Sequence, residues 1–338
     1  MASTARPHRD ATRRPRSTPW DTAGLVIVAA LAGWTLVASA GRPWARPLPV
    51  LALLGCSVAL FALGRVGAGR DDDLVPRLVA LGIGGAFLIT FPGVMSSGGA
   101  PTEYGNTNGT LAALGVIAAA AVVPSARGTA RRGWVALAAA LLACVVMSES
   151  VAAGVALSVA LALAVVAMLR RDAAVAALGG LVTTWLALGG STALAAGAEQ
   201  PIGGHEQALR IELWGRALDL ARDAPLRGRG PGSYAPPTHA FAFDLDLRWA
   251  HQEYLQQAAE VGVVGLVLLL VLGAWLFTYL WWGRGRGLVR TVAGASAVTV
   301  VALHATVDHV LHAAVVPLTL AVLVGWATAD PRRRDIRG

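Results

Sequence analysis

Arginine and histidine side chains gather in one polar interval, residues 201–265, of a chain that is otherwise mostly apolar. Arg210 lies one helical turn before Trp214, and His251 directly precedes a long apolar run. An imidazole can accept a proton near neutral pH, because its ordinary pKa lies there. The histidine therefore fits the role of a general base. A histidine that only caps or anchors the following helix would show the same sequence.

A glycine-rich turn at residues 225–234 carries Arg227 and Arg229 between its glycines and ends in Tyr234. Backbone N–H groups in such a turn can approach an anion, and guanidinium groups can bind a phosphate through paired hydrogen bonds. The turn therefore suits a phosphate-binding role. A tight loop with solvated charges is the alternative, and the turn alone does not decide between them.

A second polar cluster lies near the end of the chain. His304, Asp308 and His312 are four residues apart, so one continuous helix would align them on a single face. Such a set could ligate a metal ion. A chain turn is expected within this stretch, however, and would split the set. Structural packing and a supporting role in the site are the other interpretations, and we predict no metal site.

The elements that position these residues are predicted to be membrane-spanning helices. Of the 338 residues, 55% are hydrophobic and 14% are charged, whereas soluble domains carry about 25% charged residues. Ten apolar runs, most of them long enough to cross a bilayer, recur along the chain. They lie at about residues 22–40, 47–63, 78–95, 107–123, 134–147, 151–169, 173–196, 258–282, 288–307 and 310–328. The sequence therefore predicts an all-α integral membrane protein of about ten transmembrane helices.

The arginines predict the orientation of these spans. The net charge is +8 and every basic residue is arginine, but the arginines lie between apolar runs, which indicates topology signals rather than nucleic-acid binding. Numbering the intervals alternately puts 20 of the 28 arginines on one side. That side is predicted to be cytoplasmic and to hold both termini, so the protein is predicted to be a multi-pass protein of the cytoplasmic membrane.

Five regions follow from this topology. They are a disordered cytoplasmic N-terminus at 1–20, seven transmembrane helices within 21–197, an extracytoplasmic catalytic loop at 198–257, three transmembrane helices within 258–329 and a cytoplasmic tail at 330–338. The loop contains a predicted amphipathic helix at about 206–223, with Trp214 in the membrane interface. Six loop arginines run against the charge bias, so topology does not explain them.

Four motifs in this loop resemble those of the O-antigen ligase family, which includes O-antigen polymerase-like proteins. The family pattern is Arg then Trp, Pro-Leu-x-Gly-x-Gly with an aromatic, His-Asn-x-x-Leu, and Glu-x-Gly entering a span. This chain has Arg210 and Trp214, Pro225 to Gly230 with Tyr234, His251 to Leu255, and Glu260 to Gly262. The likeness covers about 105–325 by span pattern and 205–265 by motif.

The resemblance implies a metal-independent glycosyltransferase without a cofactor. Its donor would be a polyprenyl-diphosphate-linked glycan, and its acceptor would be a lipid or glycan hydroxyl at the outer face. By position, His251 would be the base and Arg210 would contact the diphosphate. Arg227, Arg229, Trp214, Tyr234, Glu260 and His304 are predicted to bind substrate. A polysaccharide polymerase, a transporter of the lipid-linked glycan and a non-catalytic scaffold remain alternatives.

Three features depart from the family pattern. A second diphosphate-binding arginine is usual in a Ser-Arg-Gly-like motif, but here that place reads Ser148-Glu149-Ser150, and Arg227 or Arg229 is the candidate replacement. Gln252 stands where the family has asparagine. The predicted spans are also fewer than the family's usual twelve.

Overall fold

The computed structural model describes residues 19–90, 101–102, 104–197, 205–234, 246–282 and 287–329. This described part contains eleven α-helices, a 3₁₀ turn at Asp246–Arg248 and no strand. The helices are α1 (Pro19–Ser39), α2 (Pro47–Arg70), α3 (Leu74–Ile89), α4 (Gly105–Val122), α5 (Gly128–Met147), α6 (Val151–Arg170), α7 (Ala173–Gly197), α8 (His205–Asp223), α9 (Glu253–Trp281), α10 (Leu288–His304) and α11 (Val315–Ala327).

Each predicted apolar run overlaps one of these helices, and α8 is the predicted loop helix. Within the described residues, seven helices are long and apolar enough to cross a membrane, namely α1, α2, α4, α5, α6, α7 and α9. The other three apolar helices, α3, α10 and α11, are shorter. The all-helical prediction is confirmed, and the fold is that of a multi-pass membrane protein. The predicted N-terminal disorder and C-terminal tail lie almost wholly outside the described residues.

Some helix boundaries differ from the predicted runs. The fifth helix is longer than its apolar run, because it begins at Gly128 and includes the polar start Gly-Thr-Ala-Arg-Arg. The last helix begins at Val315 rather than 310, because the chain turns between α10 and α11. Helix α9 begins at Glu253, five residues before the apolar run. Hydropathy therefore located the helices but not the polar turns at their ends.

Helix α4 lies at the centre of the bundle, and most of its residues are buried. It packs against α3, α5 and α10 through alanine, valine and leucine side chains. Small residues let helix backbones approach closely in a membrane protein, where packing rather than the hydrophobic effect drives helix association. The start of α4 is thereby fixed against the turn that follows α10.

Helices α1 and α9 run antiparallel along each other. The indole N–H of Trp275 donates to the carbonyl of Trp20 at 3.1 Å, and that of Trp34 donates to the carbonyl of Val261 at 2.8 Å. The end of α1 thus lies beside the start of α9, at the end of the bundle where the loop residues 225–234 also lie, because Arg46 N–H donates to the carbonyl of Pro231 at 2.8 Å.

The opposite end of the bundle carries arginines of the set predicted to be cytoplasmic. Arg65 pairs with Asp21 near the start of α1. Arg290 lies 3.4 Å from Asp72 and stacks its guanidinium over the ring of Trp326 at 5.3 Å. Both of these arginines therefore have an acidic partner at this end of the bundle, and its cytoplasmic orientation stays a prediction.

A cavity of about 460 Å³ runs between α1, α2, α7, α9, α10 and α11. Its walls are almost entirely apolar, from Leu25 and Val28 on α1 to Leu320 and Val324 on α11. Walls of this kind offer contacts to hydrocarbon and few hydrogen-bond partners for water.

Candidate active site

His251 lies in the turn before α9 with an unusual backbone conformation. Its φ is +49°, and its side chain is buried. The indole N–H of Trp214 donates to the carbonyl of His251 at 3.0 Å. The side-chain oxygen of Gln252 accepts from Leu255 N–H at 2.6 Å and so caps α9. These contacts fix the imidazole at the loop side of the bundle.

His251 and Arg210 meet at one carboxylate. Nδ1 of His251 lies 3.7 Å from Oδ1 of Asp308, and Nη1 of Arg210 lies 3.8 Å from Oδ2. Arg210 also donates to the carbonyl of Val307 at 3.1 Å. Asp308 is fully buried in the turn between α10 and α11. The structure thus brings together, around a third charged group, the two residues predicted to be catalytic.

The segment before α4 supplies the remaining contacts to this carboxylate. The Tyr104 hydroxyl lies 2.9 and 2.8 Å from the two oxygens of Asp308 and 3.3 Å from Nδ1 of His251. The Asn106 amide donates to Asp308 and, at 2.9 Å, to the Tyr104 oxygen. Sequence analysis missed both residues. Their signal was the polar Tyr-Gly-Asn at the start of a buried span, where polar groups are costly and mark functional candidates.

These contacts keep Asp308 ionised. Burial by itself raises the pKa of a carboxyl, but the contacts with the imidazoles of His251 and His309 outweigh it, and the pKa of Asp308 falls well below its usual range. Burial and the adjacent negative charge of Asp308 raise the pKa of Tyr104, so the phenol stays neutral and donates. The result is a buried anion facing an imidazole and a guanidinium.

Aromatic rings connect this cluster to a second buried carboxylate. His309 lies edge-on to His251 at 4.9 Å and stacks on Trp249 at 5.1 Å, and Trp249 contacts His312 at 4.4 Å between ring centroids. Nδ1 of His312 lies 3.0 Å from Oε2 of Glu253. Burial lowers the pKa of His312, but the carboxylates of Glu253 and Glu260 outweigh it and raise that pKa.

The glycine-rich turn interlocks with a break in α9. Gly262 has φ +72° and ψ −177° inside the helix, a conformation that is essentially restricted to glycine. The N–H groups of Arg229 and Gly230 donate to the carbonyls of Ala259 and Glu260 at 2.9 and 2.6 Å. A Cβ on Gly262 would lie 2.2 Å from the carbonyl oxygen of Leu226, so the two backbones touch.

Glu260 closes this interlock through its side chain. Its carboxylate accepts from the N–H groups of Gly232 at 2.8 Å and Tyr234 at 3.2 Å, and from the amide of Gln256 at 3.2 Å. Because the side chain is buried, these charge-assisted bonds hold the turn in place. The motifs Pro-Leu-x-Gly-x-Gly and Glu-x-Gly thus form one structural unit.

Comparison with protein-family models decides the family. Residues 105–270, about half of the chain, match the model described as O-antigen ligase. The chain belongs to an O-antigen ligase-like family. Its function therefore falls, broadly, within that of the O-antigen ligases and polymerases. No curated protein gives a significant match.

The matched segment contains Arg210 and His251, but it begins one residue after Tyr104 and ends before Asp308. The carboxylate that joins the predicted site residues thus comes from a part of the chain beyond the segment that carries the family pattern. The four family motifs occupy the loop end of the bundle, where they form the turn, the break in α9 and the His251 environment.

Two residues predicted to bind substrate are buried and make structural contacts. Trp214 was predicted to lie in the membrane interface, but its side chain is only 6% exposed, because it packs beneath His251 with Leu255 and Ala259. Tyr234 is also buried, and its hydroxyl donates to the carbonyl of Leu213 at 2.8 Å. The interface prediction for Trp214 is wrong, and a substrate role for either residue stays a prediction.

The two turn arginines face away from Asp308. Arg227 donates to the carbonyls of Val37 and, at 3.1 Å, Ala40 at the end of α1. Arg229 lies 2.6 Å from the carboxylate of Asp223 at the end of α8. Both side chains are well exposed. Their predicted substrate role stays a prediction. The suggestion that one of them takes the role of the missing second arginine is also untested.

The place of that missing arginine lies beside the start of α4. The Ser150 hydroxyl accepts from Ala153 N–H at 3.2 Å and caps α6. A Cβ on Gly105 would lie 2.7 Å from the carbonyl oxygen of Ser148. This turn therefore packs next to Tyr104, and the exposed Glu149 lies within it.

His304 and His312 do not share a face with Asp308. His304 ends α10, is fully buried and has Nδ1 2.6 Å from the Thr110 hydroxyl. The turn after α10 splits the three-residue set, as a chain turn there would require. His304 lies within the protein interior at the end of a helix, and its predicted substrate role stays a prediction.

A different trio has the spacing of a cation site. Ligand atoms of His251, Asp308 and His309 all lie within 4.8 Å of one another. Two imidazoles and a carboxylate would suit zinc. Both oxygens of Asp308, however, already accept from Tyr104, and one also accepts from Asn106. A metal would have to displace these donors, and metal independence stays a prediction.

Proposed function

We propose that this protein transfers a glycan from a polyprenyl-diphosphate carrier to an acceptor hydroxyl on the outer face of the cytoplasmic membrane. The observation that supports the proposal most is the approach of His251 and Arg210 to the same buried carboxylate, at 3.7 and 3.8 Å. A base for the acceptor and a cation for the leaving group then lie side by side, as group transfer requires.

The imidazole acts through the nitrogen that does not face Asp308. With Nδ1 turned toward the carboxylate and the Tyr104 hydroxyl, Nε2 takes the proton from the acceptor hydroxyl. The negative charge of Asp308 then stabilises the imidazolium that forms. Asp308 is thus a positioning residue that works through His251.

The guanidinium acts on the other reaction partner. The acceptor oxygen forms a bond to the anomeric carbon, and the bond from that carbon to the diphosphate oxygen breaks. Negative charge develops on the departing polyprenyl diphosphate. Arg210, which is partly exposed, stabilises this charge without being displaced from Asp308, because a guanidinium has five N–H donors.

The test is reconstitution of the protein in lipid vesicles with a polyprenyl-diphosphate oligosaccharide and an acceptor. His251→Ala is expected to lower transfer by about 10²–10⁴-fold, and Arg210→Ala by about 10²–10³-fold. Arg222→Ala is the matched control, because Arg222 is exposed on the same helix and pairs with Asp219. Full transfer by both site variants would refute the proposed site.

The same reaction distinguishes a ligase from a polymerase. Product on an acceptor of a different kind indicates ligation, whereas lengthening of the carrier-linked glycan indicates polymerisation. Movement of intact carrier between leaflets, with no glycosidic bond made, would instead identify a transporter. We favour ligation as the leading assignment, with polymerisation as the alternative that uses the same loop chemistry.

A further inference from the structure

The large apolar cavity lies outside the cluster around Asp308. Along α1 its lining runs from Asp21 to Thr35, which is about 21 Å at the rise of an α-helix. Between these ends the lining side chains are aliphatic or aromatic on all six helices, with few polar groups. A long apolar space between membrane-spanning helices fits a hydrocarbon chain better than a polar ligand.

One end of the cavity is polar and lies at the loop side of the bundle. Glu253, Gln257, Glu260 and His312 line it there. Glu253 and Glu260 are almost fully buried, and His312 lies 3.0 Å from Glu253. Two carboxylates against one imidazole leave no excess positive charge. A phosphate would meet repulsion here, whereas hydroxyl groups can donate to the carboxylates.

We propose that this cavity binds the hydrocarbon chain of a lipid whose head group is uncharged and rich in hydroxyls. We further assign this lipid as the acceptor, an assignment that rests on the proposed function. Its head group then extends from Glu253 past Trp249 and His309, which lie in ring contact, toward His251. The donor diphosphate approaches Arg210 instead, so the two substrates are distinguished by the charge of the groups that bind them.

Photo-crosslinking tests the chain site. The full-length protein in nanodiscs is exposed to a monohexosyl diacylglycerol that carries a diazirine in its acyl chain, and labelled residues are mapped by mass spectrometry. Label is expected on cavity residues such as Val28. Ser57→Phe fills the cavity and is expected to reduce the label about tenfold. Gly55→Phe, on the same helix but facing open space, is expected to leave it unchanged.

The head-group assignment is tested with a second probe. Phosphatidic acid with the same diazirine chain is expected to label the cavity about fivefold less than the monohexosyl diacylglycerol does. In Glu253→Gln the difference in labelling between the two probes is expected to be smaller. Equal or stronger labelling by phosphatidic acid would overturn the head-group assignment. Absence of label from the cavity, or label from a polyprenyl diphosphate probe alone, would overturn the cavity assignment.

A third variant separates this proposal from the proposed function. His251→Ala leaves the cavity lining unchanged, so it is expected to bind the neutral probe as the wild type does. If probe binding fails while glycan transfer by the wild type succeeds, the cavity assignment is wrong and the reaction stands. If the probe binds and no transfer occurs under any condition, the cavity binds lipid without serving an acceptor.

Discussion

Asp308 is the residue on which the candidate site depends. It carries a charge that is buried from water, and a buried charge requires partners on every side. Tyr104, Asn106, Arg210 and His251 all lie within reach of it. An exposed carboxylate would exert much less influence on an imidazole, because water would screen it.

Replacement of Asp308 is expected to disable the base without removing it. Asp308→Asn keeps the shape of the side chain but removes the charge that stabilises the imidazolium. We expect kcat to fall by about 10²–10⁴-fold, with a small change in KM for the donor. Asp219→Asn, on the exposed face of α8, is the control. Unchanged kcat in Asp308→Asn would show that the carboxylate is only a packing partner.

The contact between His312 and Glu253 predicts a pH-dependent contribution to stability. The pKa of His312 is raised, so this contribution is complete below the ordinary value of 6.5 and is lost as pH rises through the higher pKa of the folded state. A charged hydrogen bond of this kind contributes about 1.5–3 kcal/mol. The melting temperature of the wild type should therefore exceed that of His312→Gln, and the difference should be largest at low pH.

Melting curves in detergent between about pH 5.5 and pH 9 give this comparison. The gap between the two proteins should shrink as pH rises. A gap that widens instead would mean that neutral His312 is the form that the fold prefers.

At the scale of elements, the break in α9 and the glycine-rich turn form one unit. The unit joins residues 225–234 to residues 259–263 through backbone hydrogen bonds. His251 lies in the stretch of chain that connects these two segments. Gly262 provides the backbone conformation that the break requires. Rigid support of this kind keeps catalytic groups in their working geometry.

Gly262→Ala is expected to break this unit. A Cβ would meet the Leu226 carbonyl at 2.2 Å, and the backbone conformation is strained for alanine, at a cost of about 1–3 kcal/mol or more. The melting temperature and glycan transfer should both fall. Gly190→Ala, in helix α7 and in open space, should leave both nearly unchanged. Equal behaviour of the two variants would contradict the interlock.

Sequence patterns identified the elements better than their partners. Hydropathy located the ten apolar helices, and helical spacing located α8, because these signals are local. Local motifs also marked His251, Gly262 and the turn, but not that the turn and the break touch. Tyr104 and Asp308 are 204 residues apart, so no local pattern joins them. Trp214 was placed in the interface because amphipathicity does not say which surface covers the apolar face.

At the scale of the whole molecule, the two ends of the bundle have different roles. One end gathers the loop helix, the Asp308 cluster and the polar end of the cavity. The other end carries arginine contacts such as those of Arg65 and Arg290. The orientation predicted from the arginines stays a prediction.

Cysteine labelling in intact cells checks that orientation. In a background without Cys56 and Cys144, Leu226→Cys is expected to react with a membrane-impermeant maleimide added outside. Arg171→Cys, exposed at the opposite end, is expected to react only after permeabilisation. The reverse pattern would place the site in the cytoplasm and refute transfer at the outer face.

The distance along the chain between Tyr104 and Asp308 has a consequence for biosynthesis. Ribosomes deliver the N-terminal helices first, so Tyr104, Arg210 and His251 enter the membrane before their common carboxylate exists. A nascent or truncated chain would thus hold an imidazole with no anion behind it. The proposed site would be complete only after α10 and the turn that carries Asp308 have inserted.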